Sequence, residues 1–354
     1  MKLCIWSNSS DATVAHISER APEWLKCVLI NSDNVPQFTI GSNRPNHFSD
    51  IDLIWYRRPF ENNVFPTTVG EKLRLAETHE ALWNLMMQIP INKWMNFPTF
   101  NWIADKKAFQ LVKANECGLL TPEWLITNEV TEAKTFLEHH NWQCILKPID
   151  CGYISDGDNA YHVYTNDLKP SEADLSLVRL CPTLIQKRVE KAFDVRTVYL
   201  NGRSLFIGLY GGALDVRRNE MEHISYDIIQ PPRSVADGYI SLMKKNNLRF
   251  CTSDFAVAKD GTWFFLENNP NGQWVWMDEY LDDKVSVPVQ RPGRADAAEC
   301  KHDHSTEHAE MRTVVLPVLR DRATAMASPR RGDRQPMPAP GMARRPGPVV
   351  ATWW

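Results

Sequence analysis

The first half of the chain alternates between strand-like and helix-like patterns of apolar and polar residues. Strands are predicted at MKLCIW, IDLIWYRRPF, EWLIT and WQCILKP. Helices, recognised by apolar side chains at helical spacing, are predicted at 71–89, at 104–118 with Gly118 as the stop, and near 129–140. This alternation predicts α/β lobes.

The second half of the chain is richer in strands and tight turns. TLIQKRV, FDVRTVYL and RSLFIGL are strand-like, and Asn201-Gly202 between the last two is a strong signal for a two-residue hairpin loop. A helix is expected near 235–248. FCTSDFAVAKDGTWFFLEN then predicts a second hairpin, which turns at Asp260-Gly261.

The second hairpin brings acidic residues together. With Asp260 and Gly261 as the two loop residues, Asp254 lies directly opposite Glu267, about 5 Å away between Cβ atoms. Asn269 shares the face of Glu267, since side chains alternate along a strand. Two carboxylates this close repel unless a positive group lies between them. Oxygen ligands of this kind suit Mg²⁺, and the alternative is an acid pair exposed at a sheet edge.

Composition excludes several classes of protein. The 354 residues carry a formal net charge of −3 and are 43% hydrophobic, which allows a large core but gives no electrostatic case for binding nucleic acid. No apolar run is long enough to span a membrane, and the N-terminus lacks the apolar region of a signal peptide. The eight cysteines form no CxxC pair, which argues against zinc and disulfide frameworks and favours a reducing cytoplasm.

The composition changes abruptly near Ser286. Beyond this residue there is no Ile, Phe, Tyr or Asn, while Pro and Arg recur. We expect residues 286–354 to be a disordered tail of foreign composition, outside the functional core. The run KHDHSTEH (301–308) is interpreted here as a solvated polar segment rather than a metal site.

Two lysines are placed to meet an anion. Lys107 lies near the start of a predicted helix, and Lys147 ends the apolar strand WQCILKP. A lysine at the end of a buried strand usually faces a negative group. The loop 150–159 (DCGYISDGDN) contains two glycines and could cover phosphates, although it matches no known phosphate-loop motif and could equally be an ordinary hairpin loop.

The order of several motifs resembles the ATP-grasp ligases. They are DKKAFQL, GLLTPEWLITN, ILKP, IQKRVEKAFDVR, SDFAV and FLENNPNGQW. WYRRPF and ENNPNGQW further resemble the branch that modifies ribosomally made peptides, the microviridin-type or graspetide ligases. The resemblance spans about residues 1–284 and depends on six motifs occurring in the right order. It implies an ATP-grasp fold with an N-terminal pre-ATP-grasp domain and a nucleotide held between two lobes.

The resemblance also implies roles for individual residues. Lys107 and Lys147 would contact ATP phosphates, with Lys106 as a competitor that the Lys-x-x-Gln spacing to Gln110 disfavours. The remaining implied residues are the adenine linker around Gln186, Arg188 and Val189; Asp194, with a less certain contact; Arg196, which would stabilise an acyl phosphate; and the Mg²⁺ ligands Asp254, Glu267 and Asn269.

The implied reaction joins a carboxylate to a hydroxyl or an amine. Transfer of the ATP γ-phosphate activates the carboxylate as an acyl phosphate, and attack then gives an ester or amide ring within one precursor peptide, whose leader segment docks on the enzyme. ATP and Mg²⁺ are the implied cofactors. In LDVRRNE (214–220), Val216 replaces the aromatic residue of the family, and Arg217 could pair with an acidic substrate side chain.

Several alternatives remain open at this stage. Arg217 and Arg218 could form a solvated basic face, and Arg57 and Arg58 could make structural ion pairs. A small-molecule carboxylate–amine ligase of the glutathione synthetase type is the second enzyme hypothesis. A protein that binds nucleotide or leader peptide without catalysis is the third. The oligomeric state, including a homodimer, is left open by the sequence.

The predicted domains are 1–98 (pre-ATP-grasp), 99–189 (central lobe) and 190–285 (C-terminal lobe with the Mg²⁺ site), followed by the tail 286–354. The chain departs from the family pattern after GQW. A closing apolar helix is expected there, but WVWMDEYLDDKV runs directly into the tail.

Overall fold

A computed structural model describes residues 1–9, 11–30, 37–42, 48–59, 68–150, 153–156, 159–162, 166–168, 170, 174–211, 224–281 and 285. The described residues within 1–167 and 175–285 belong to one compact unit. Arg217, the 301–308 run and all of the tail after Ser286 lie outside the described residues.

The N-terminal region is a small parallel sheet with a crossover helix. Its elements are β1 (Lys2–Trp6), α1 (Ala12–Glu19), β2 (Lys26–Ile30) and β3 (Leu53–Tyr56), in the order β2-β1-β3. Asp11 caps α1 by accepting a hydrogen bond from the Thr13 N–H at 3.0 Å. The 18-residue helix α2 (Val69–Met86) begins at a capping box formed by Thr68 and Glu71. The pattern of apolar residues missed α1 and β2, which are short.

The helix predicted over 104–118 forms as Lys107–Glu116, and a separate helix at Pro98–Ala104, just before it, was not predicted. α3 (Pro98–Ala104) starts with proline at its first turn, and α4 (Lys107–Glu116) starts after Lys106, whose extended backbone (φ −76°, ψ 110°) separates them. The break leaves Lys107 as the first residue of α4. Gly118 follows the helix with a φ of +80°, as expected for a helix-ending glycine.

The central region contains a four-stranded sheet and a separate hairpin. β4 (Trp124–Thr127), α5 (Val130–His139), β5 (Cys144–Lys147) and β9 (Thr183–Lys187) match the predicted elements, and the sheet order is β4-β9-β5-β8, with β8 at Asn166–Asp167. The stretch after β5 folds as a hairpin of β6 (Tyr153–Asp156) and β7 (Asn159–His162). Residues 151, 152, 157 and 158 of this stretch lie outside the described residues.

The largest sheet has five antiparallel strands in the order β12-β11-β10-β13-β14. They are β10 (Lys191–Leu200), β11 (Arg203–Tyr210), β12 (Ser225–Ile229), β13 (Phe250–Ala258) and β14 (Trp263–Asn269). The two-residue loop between β10 and β11 is confirmed, because Leu200 pairs with Arg203 and both Asn201 and Gly202 have positive φ. Helix α6 (Arg233–Lys245) covers one face, where the Thr197 hydroxyl donates to the Tyr239 hydroxyl at 2.7 Å.

The other face of this sheet shares a hydrophobic core with the N-terminal sheet. One cluster of buried side chains includes Leu3, Ile5 and Trp55 from the N-terminal region and Val198, Leu200, Ile207, Phe250 and Trp274 from the five-stranded sheet and the segment after it. The indole rings of Trp55 and Trp274 stack with centroids 5.8 Å apart. Because the two sheets bury the same apolar surface, they are held together by the hydrophobic effect.

The segment after Trp274 continues into a short closing helix, α7 (Val275–Asp278), which packs on α1. The buried His16 and Asp278 side chains meet at 3.1 Å between Nε2 and Oδ2. The other Asp278 carboxylate oxygen accepts the Val285 N–H at 2.9 Å. Residues 275–278 are therefore helical, within the stretch WVWMDEYLDDKV that the sequence analysis contrasted with the closing helix of the family.

Two compositional expectations can be compared with the described part of the chain. No helix there is long and apolar enough to cross a membrane. The six cysteines within it, at positions 4, 27, 117, 144, 181 and 251, are free thiols. Cys4, Cys144 and Cys251 are buried, whereas Cys27 and Cys117 are half-buried and Cys181 is exposed.

Candidate active site

Asp254 and Glu267 face each other across β13 and β14, as predicted, but the reason differs from the one expected. The turn has three loop residues rather than two, since the Ala258 N–H bonds the Thr262 carbonyl at 2.8 Å and Gly261 has a φ of +85°. Alone, this would place Leu266 opposite Asp254. A β-bulge at Leu266, between the pairs Phe255–Phe265 and Asp254–Glu267, restores the predicted pair.

Three charged side chains form a row across three strands. Arg196 of β10 pairs directly with Asp254 of β13, which pairs with Glu267 of β14. The Arg196 Nη1 atom lies 2.7 and 2.8 Å from the two Asp254 carboxylate oxygens. The row thus places one guanidinium beside two carboxylates on one face of the sheet.

Asn269 joins the two carboxylates. Its side-chain Nδ2 lies 3.1 Å from Asp254 Oδ2 and 3.4 Å from Glu267 Oε1. An amide can present either nitrogen or oxygen at such a place, and the choice follows the charge of what it faces. Opposite two carboxylates the nitrogen is favoured, whereas a cation between them would favour the oxygen. The structure therefore brings together all three residues predicted to bind Mg²⁺.

Lys107 reaches the same carboxylates from the start of α4. Its Nζ lies 3.1 Å from Glu267 Oε2, and both side chains are largely buried. Lys106, the competitor, instead places its ammonium over the Trp102 ring, 4.9 Å from the centroid. Gln110, one helical turn after Lys107, accepts a very short hydrogen bond from the Asn268 N–H. The Lys-x-x-Gln spacing thus fixes α4 against the strand that bears Glu267.

The electrostatics of the row differ between its two acids. Burial alone would raise the pKa of Glu267, but Lys107 and Lys147 together with hydrogen bonds from Lys107 and Asn269 lower it to about 2. Burial raises the pKa of Asp254, and Glu267 adds to this increase, while Arg196 opposes it. The lysines thus favour the ionised form of Glu267, whereas burial and the neighbouring Glu267 disfavour the ionised form of Asp254.

The turn after β14 is built to hold Arg196. Gly272 donates its N–H to the Asn269 carbonyl at 2.9 Å, and the Gln273 carbonyl accepts from Arg196 Nη2 at 3.1 Å. A Cβ on Gly272 would lie 1.7 Å from Thr252 Oγ1 and 2.9 Å from Arg196 Nη2. Only glycine fits here, because the backbone approaches these two side chains too closely for any side chain of its own.

Two asparagines link this turn to other elements. Asn271 donates to the Arg57 carbonyl at 2.9 Å, and Asn101 of α3 donates to the Asn271 side-chain oxygen at 3.1 Å. Sequence reasoning did not assign a role to Asn101, Asn271 or Gly272. The run NNPNG was the available signal, but its contacts lie about 170 residues away in the chain.

A cavity of about 820 Å³ lies beside the charged row. Its lining includes Lys147, Asp194, Arg196, Asp254, Glu267 and Asn269 together with the linker residues Gln186, Lys187, Arg188 and Val189. Gln186 is buried, and its Oε1 atom has no hydrogen-bond partner among the described residues. A buried acceptor in this state calls for a donor from a bound molecule or water. The cavity volume falls in the range of small-molecule sites.

Some backbone groups of the linker residues Arg188 and Val189 already form hydrogen bonds within the protein. The Arg188 N–H donates to the Gln143 carbonyl at 2.8 Å, and the Val189 carbonyl accepts from the Lys191 N–H at 2.9 Å. Lys191 also pairs with Asp194, 2.5 Å away. Burial raises the pKa of Asp194, although Lys191 pulls it down. Asp194 thus lines the cavity as an acid already paired with a lysine.

The two arginines of WYRRPF have separate positions. Arg57 is fully buried, with its Nε 2.7 Å from Asp11 Oδ2 and its guanidinium 4.8 Å from the centroid of Trp55. This agrees with the structural ion pair that the sequence left open. Arg58 lines the cavity instead.

Comparisons with known proteins find no match by sequence but several matches by fold. No protein-family model matches the chain, and no curated protein matches it in sequence. Among solved structures, the macrocyclase MdnC bound with precursor peptide MdnA, from Microcystis aeruginosa, is 19% identical with a TM-score of 0.67, covering 82% of this chain and 97% of that one. A RiPP-associated ATP-grasp ligase from Chryseobacterium gregarium, in complex with ADP and a leader and core peptide, is 18% identical with a TM-score of 0.63, covering 78% and 91%.

A third solved structure has the same fold. The ATP-grasp ligase PsnB, complexed with a phosphomimetic variant of a minimal precursor, Mg and ADP, is 16% identical with a TM-score of 0.64, and the match covers 82% of this chain and 96% of that one. The chain therefore has the ATP-grasp ligase fold, as the resemblance of its motifs implied.

Proposed function

We propose that this protein is an ATP- and Mg²⁺-dependent peptide ligase that forms ADP. It activates a side-chain carboxylate of a ribosomally made precursor peptide as an acyl phosphate and joins it to a hydroxyl or amine of the same peptide. The product is an ester or amide ring. Within the fold, WYRRPF and ENNPNGQW favour the microviridin-type branch.

The observation that carries the proposal is the charged row beside the cavity. Arg196, Asp254 and Glu267 lie on one face of three adjacent strands, with Asn269 within hydrogen-bond distance of both acids. An arrangement of two carboxylates and an amide fits a hard cation that also binds phosphate oxygens. A surface acid pair, the alternative left open by the sequence, would not be buried between two lysines and an arginine.

The linker residues of the same cavity fit a nucleotide. The orphaned Gln186 Oε1 offers an acceptor that matches the exocyclic amino group of adenine. With the Arg188 N–H and the Val189 carbonyl engaged in protein contacts, we expect the base to use the Val189 N–H. Lys147, at the end of β5, then faces the phosphates, because its charge acts on Asp194, Asp254 and Glu267 together.

Asp254, Glu267 and Asn269 would hold Mg²⁺, which offsets charge on the phosphates when bound. Lys107 holds Glu267 in place and adds a second positive charge at the phosphate end. Arg196 keeps a fixed orientation through Asp254 and the Gln273 carbonyl, so that its guanidinium can stabilise an acyl phosphate without reorganisation. The turn built on Gly272 therefore acts by positioning Arg196.

The peptide partner is supported by the solved structures of similar fold, which contain precursor, leader and core peptides in their own sites. In this chain the cavity lining also contains Tyr56, Arg58, Trp102, Tyr226 and Trp276. Aromatic rings and one arginine suit the acidic side chain and backbone of a peptide.

The test is a reconstitution with a precursor. We would incubate the full chain with ATP, Mg²⁺ and a short acidic peptide bearing Ser, Thr or Lys that is encoded beside it. The expected result is release of ADP and phosphate and loss of the mass of one water per ring from the peptide. Release of AMP and pyrophosphate would overturn the acyl-phosphate route. A mass gain on a small amino acid, with the peptide unchanged, would overturn the peptide substrate.

A further inference from the structure

A cluster of metal-binding side chains lies outside the proposed active site, in the four-stranded sheet region. Glu123 directly precedes β4, and His139 and His140 end helix α5. One candidate ligand atom from each of the three residues lies within 4.8 Å of those of the other two. None of them belongs to the charged row or to the resemblance with the ATP-grasp family.

His140 is the member of the cluster that calls for a ligand. His140 is only 7% exposed, and its Nε2 atom has no hydrogen-bond partner among the described residues. Glu123 Oε2 lies 3.5 Å from this nitrogen, which is outside normal hydrogen-bond distance. The Phe136 ring packs edge-on against the imidazole with centroids 4.6 Å apart and holds its orientation. A buried ring nitrogen aimed at a carboxylate across a short gap matches a site for a cation.

The surroundings are mixed in charge and can hold a divalent ion. Lys187 Nζ lies 3.6 Å from Glu123 Oε1, so the lysine takes one carboxylate oxygen while the other faces His140. Helix α5 ends at His139, and the C-terminus of a helix is favourable for positive charge. His139 is exposed, which gives an ion a route from solvent.

We propose that Glu123, His139 and His140 form a site for a borderline divalent transition-metal ion such as Zn²⁺, Co²⁺ or Ni²⁺. Two imidazoles and one carboxylate are the ligands these ions prefer, whereas Mg²⁺ and Ca²⁺ prefer oxygen ligands alone. Three protein ligands leave one coordination position for water. Binding an ion brings the three ligand atoms closer together, and the exposed positions of Glu123 and His139 leave room for their side chains to move inward.

The position of the site connects it to the cavity. The Glu123 carbonyl accepts the Lys187 N–H at 2.8 Å, and the Trp124 that follows pairs with Gln186. The proposed ion would thus cross-link the start of β4 to the end of α5 directly behind the linker segment. We expect its binding to stabilise this region and to be independent of the ion held by Asp254 and Glu267.

The test measures ion stoichiometry in the full chain. Equilibrium dialysis with Zn²⁺, and titration with Co²⁺ followed by visible absorption, are carried out with saturating Mg²⁺ to occupy the oxygen-ligand site. Glu123→Gln and His139→Gln should each lower the affinity of one ion at least tenfold. His304→Gln, in the polar run 301–308, removes one imidazole elsewhere and is the matched control.

A substitution that removes a neighbouring positive charge provides a second test, because the Zn²⁺ affinity should respond to it only if the cluster binds the ion. Lys187→Met removes the ammonium beside Glu123 and should tighten Zn²⁺ binding severalfold, because one carboxylate oxygen is released from the lysine. Unchanged affinity in both Glu123→Gln and His139→Gln would overturn the proposal, as would an ion count that falls only in His304→Gln. Because Glu123 and His139 are exposed, we expect both substituted proteins to fold, so that a lower affinity reports on ion binding.

Discussion

The substitution Glu267→Gln tests whether the site needs the negative charge of Glu267 or only the size of its side chain. The amide keeps the size of the side chain and its ability to accept from Lys107, but removes the negative charge at the centre of the row. The pKa of Glu267 falls from its usual 4.5 to about 2, because the charged form is favoured by Lys107 and Lys147. That difference corresponds to about 3 kcal/mol of interaction with the ionised form.

The attraction of Glu267 to the two lysines reverses the expected effect of Glu267→Gln on the free energy of unfolding. Repulsion between Asp254 and Glu267 alone would make the glutamine variant more stable. With two lysines facing Glu267, we expect the variant to lose about 1–3 kcal/mol of unfolding free energy at pH 7 in the absence of ligands. A group whose pKa is lowered on folding contributes stability above its unfolded pKa. The difference between wild type and variant should therefore shrink as pH falls from 4.5 towards 2.

The effect on turnover should be much larger than the effect on folding. Loss of one preorganised electrostatic contact to the reacting phosphate costs roughly 100- to 1,000-fold in rate. ADP release and ring formation on the precursor peptide are measured alongside chemical unfolding. Glu116→Gln is the matched control, since Glu116 pairs with Lys113 at 2.7 Å on the exposed face of α4. Wild-type turnover in Glu267→Gln, with its fold intact, would refute the assignment of the metal site.

Three further predictions follow from single contacts. Lys147→Ala should weaken ATP binding by about 1.5–3 kcal/mol, measured by calorimetry, and unchanged affinity would contradict its role at the phosphates. Gly272→Ala should cost about 1–3 kcal/mol in unfolding free energy, because its Cβ would lie 1.7 Å from Thr252 Oγ1, and Thr252→Ala should recover part of this loss. Asp11→Asn removes the carboxylate that pairs with the buried Arg57 guanidinium and should destabilise by about 3–5 kcal/mol at pH 7. Because the pKa of Asp11 is lowered, this difference in denaturation midpoint should fade below pH 3.8, and a constant difference would contradict the ion pair.

The sequence predicted that Asp254 pairs with Glu267, but not the turn and the bulge that produce this pairing. Asp254 and Glu267 were paired correctly, yet through a two-residue turn and a regular ladder that the chain does not have. A longer loop and a bulge at Leu266 compensate each other. The strand register depends on the loop length and the bulge together, and the sequence of a single strand does not reliably show where a bulge occurs.

Long-range contacts were the other part that sequence patterns could not give. Helix α3 was not predicted, because its seven residues are too few to show a clear helical spacing of apolar side chains. Asn101 and Asn271 meet only after the chain has folded. By contrast, the Asn201-Gly202 loop was predicted correctly, because a two-residue turn is decided by the backbone preferences of its own residues.

The hydrophobic core shared by the N-terminal sheet and the five-stranded sheet limits how such enzymes can be recombined. Trp55 stacks on Trp274, and His16 meets the buried Asp278 of α7, so each half of the interface is shaped by residues from the other end of the sequence. A chimera that exchanges only the first hundred or so residues with a homologous enzyme would leave these side chains against unfamiliar surfaces. Successful exchange requires the segment from Trp274 to Val285 to travel with the N-terminal region, and natural divergence is expected to change the two together.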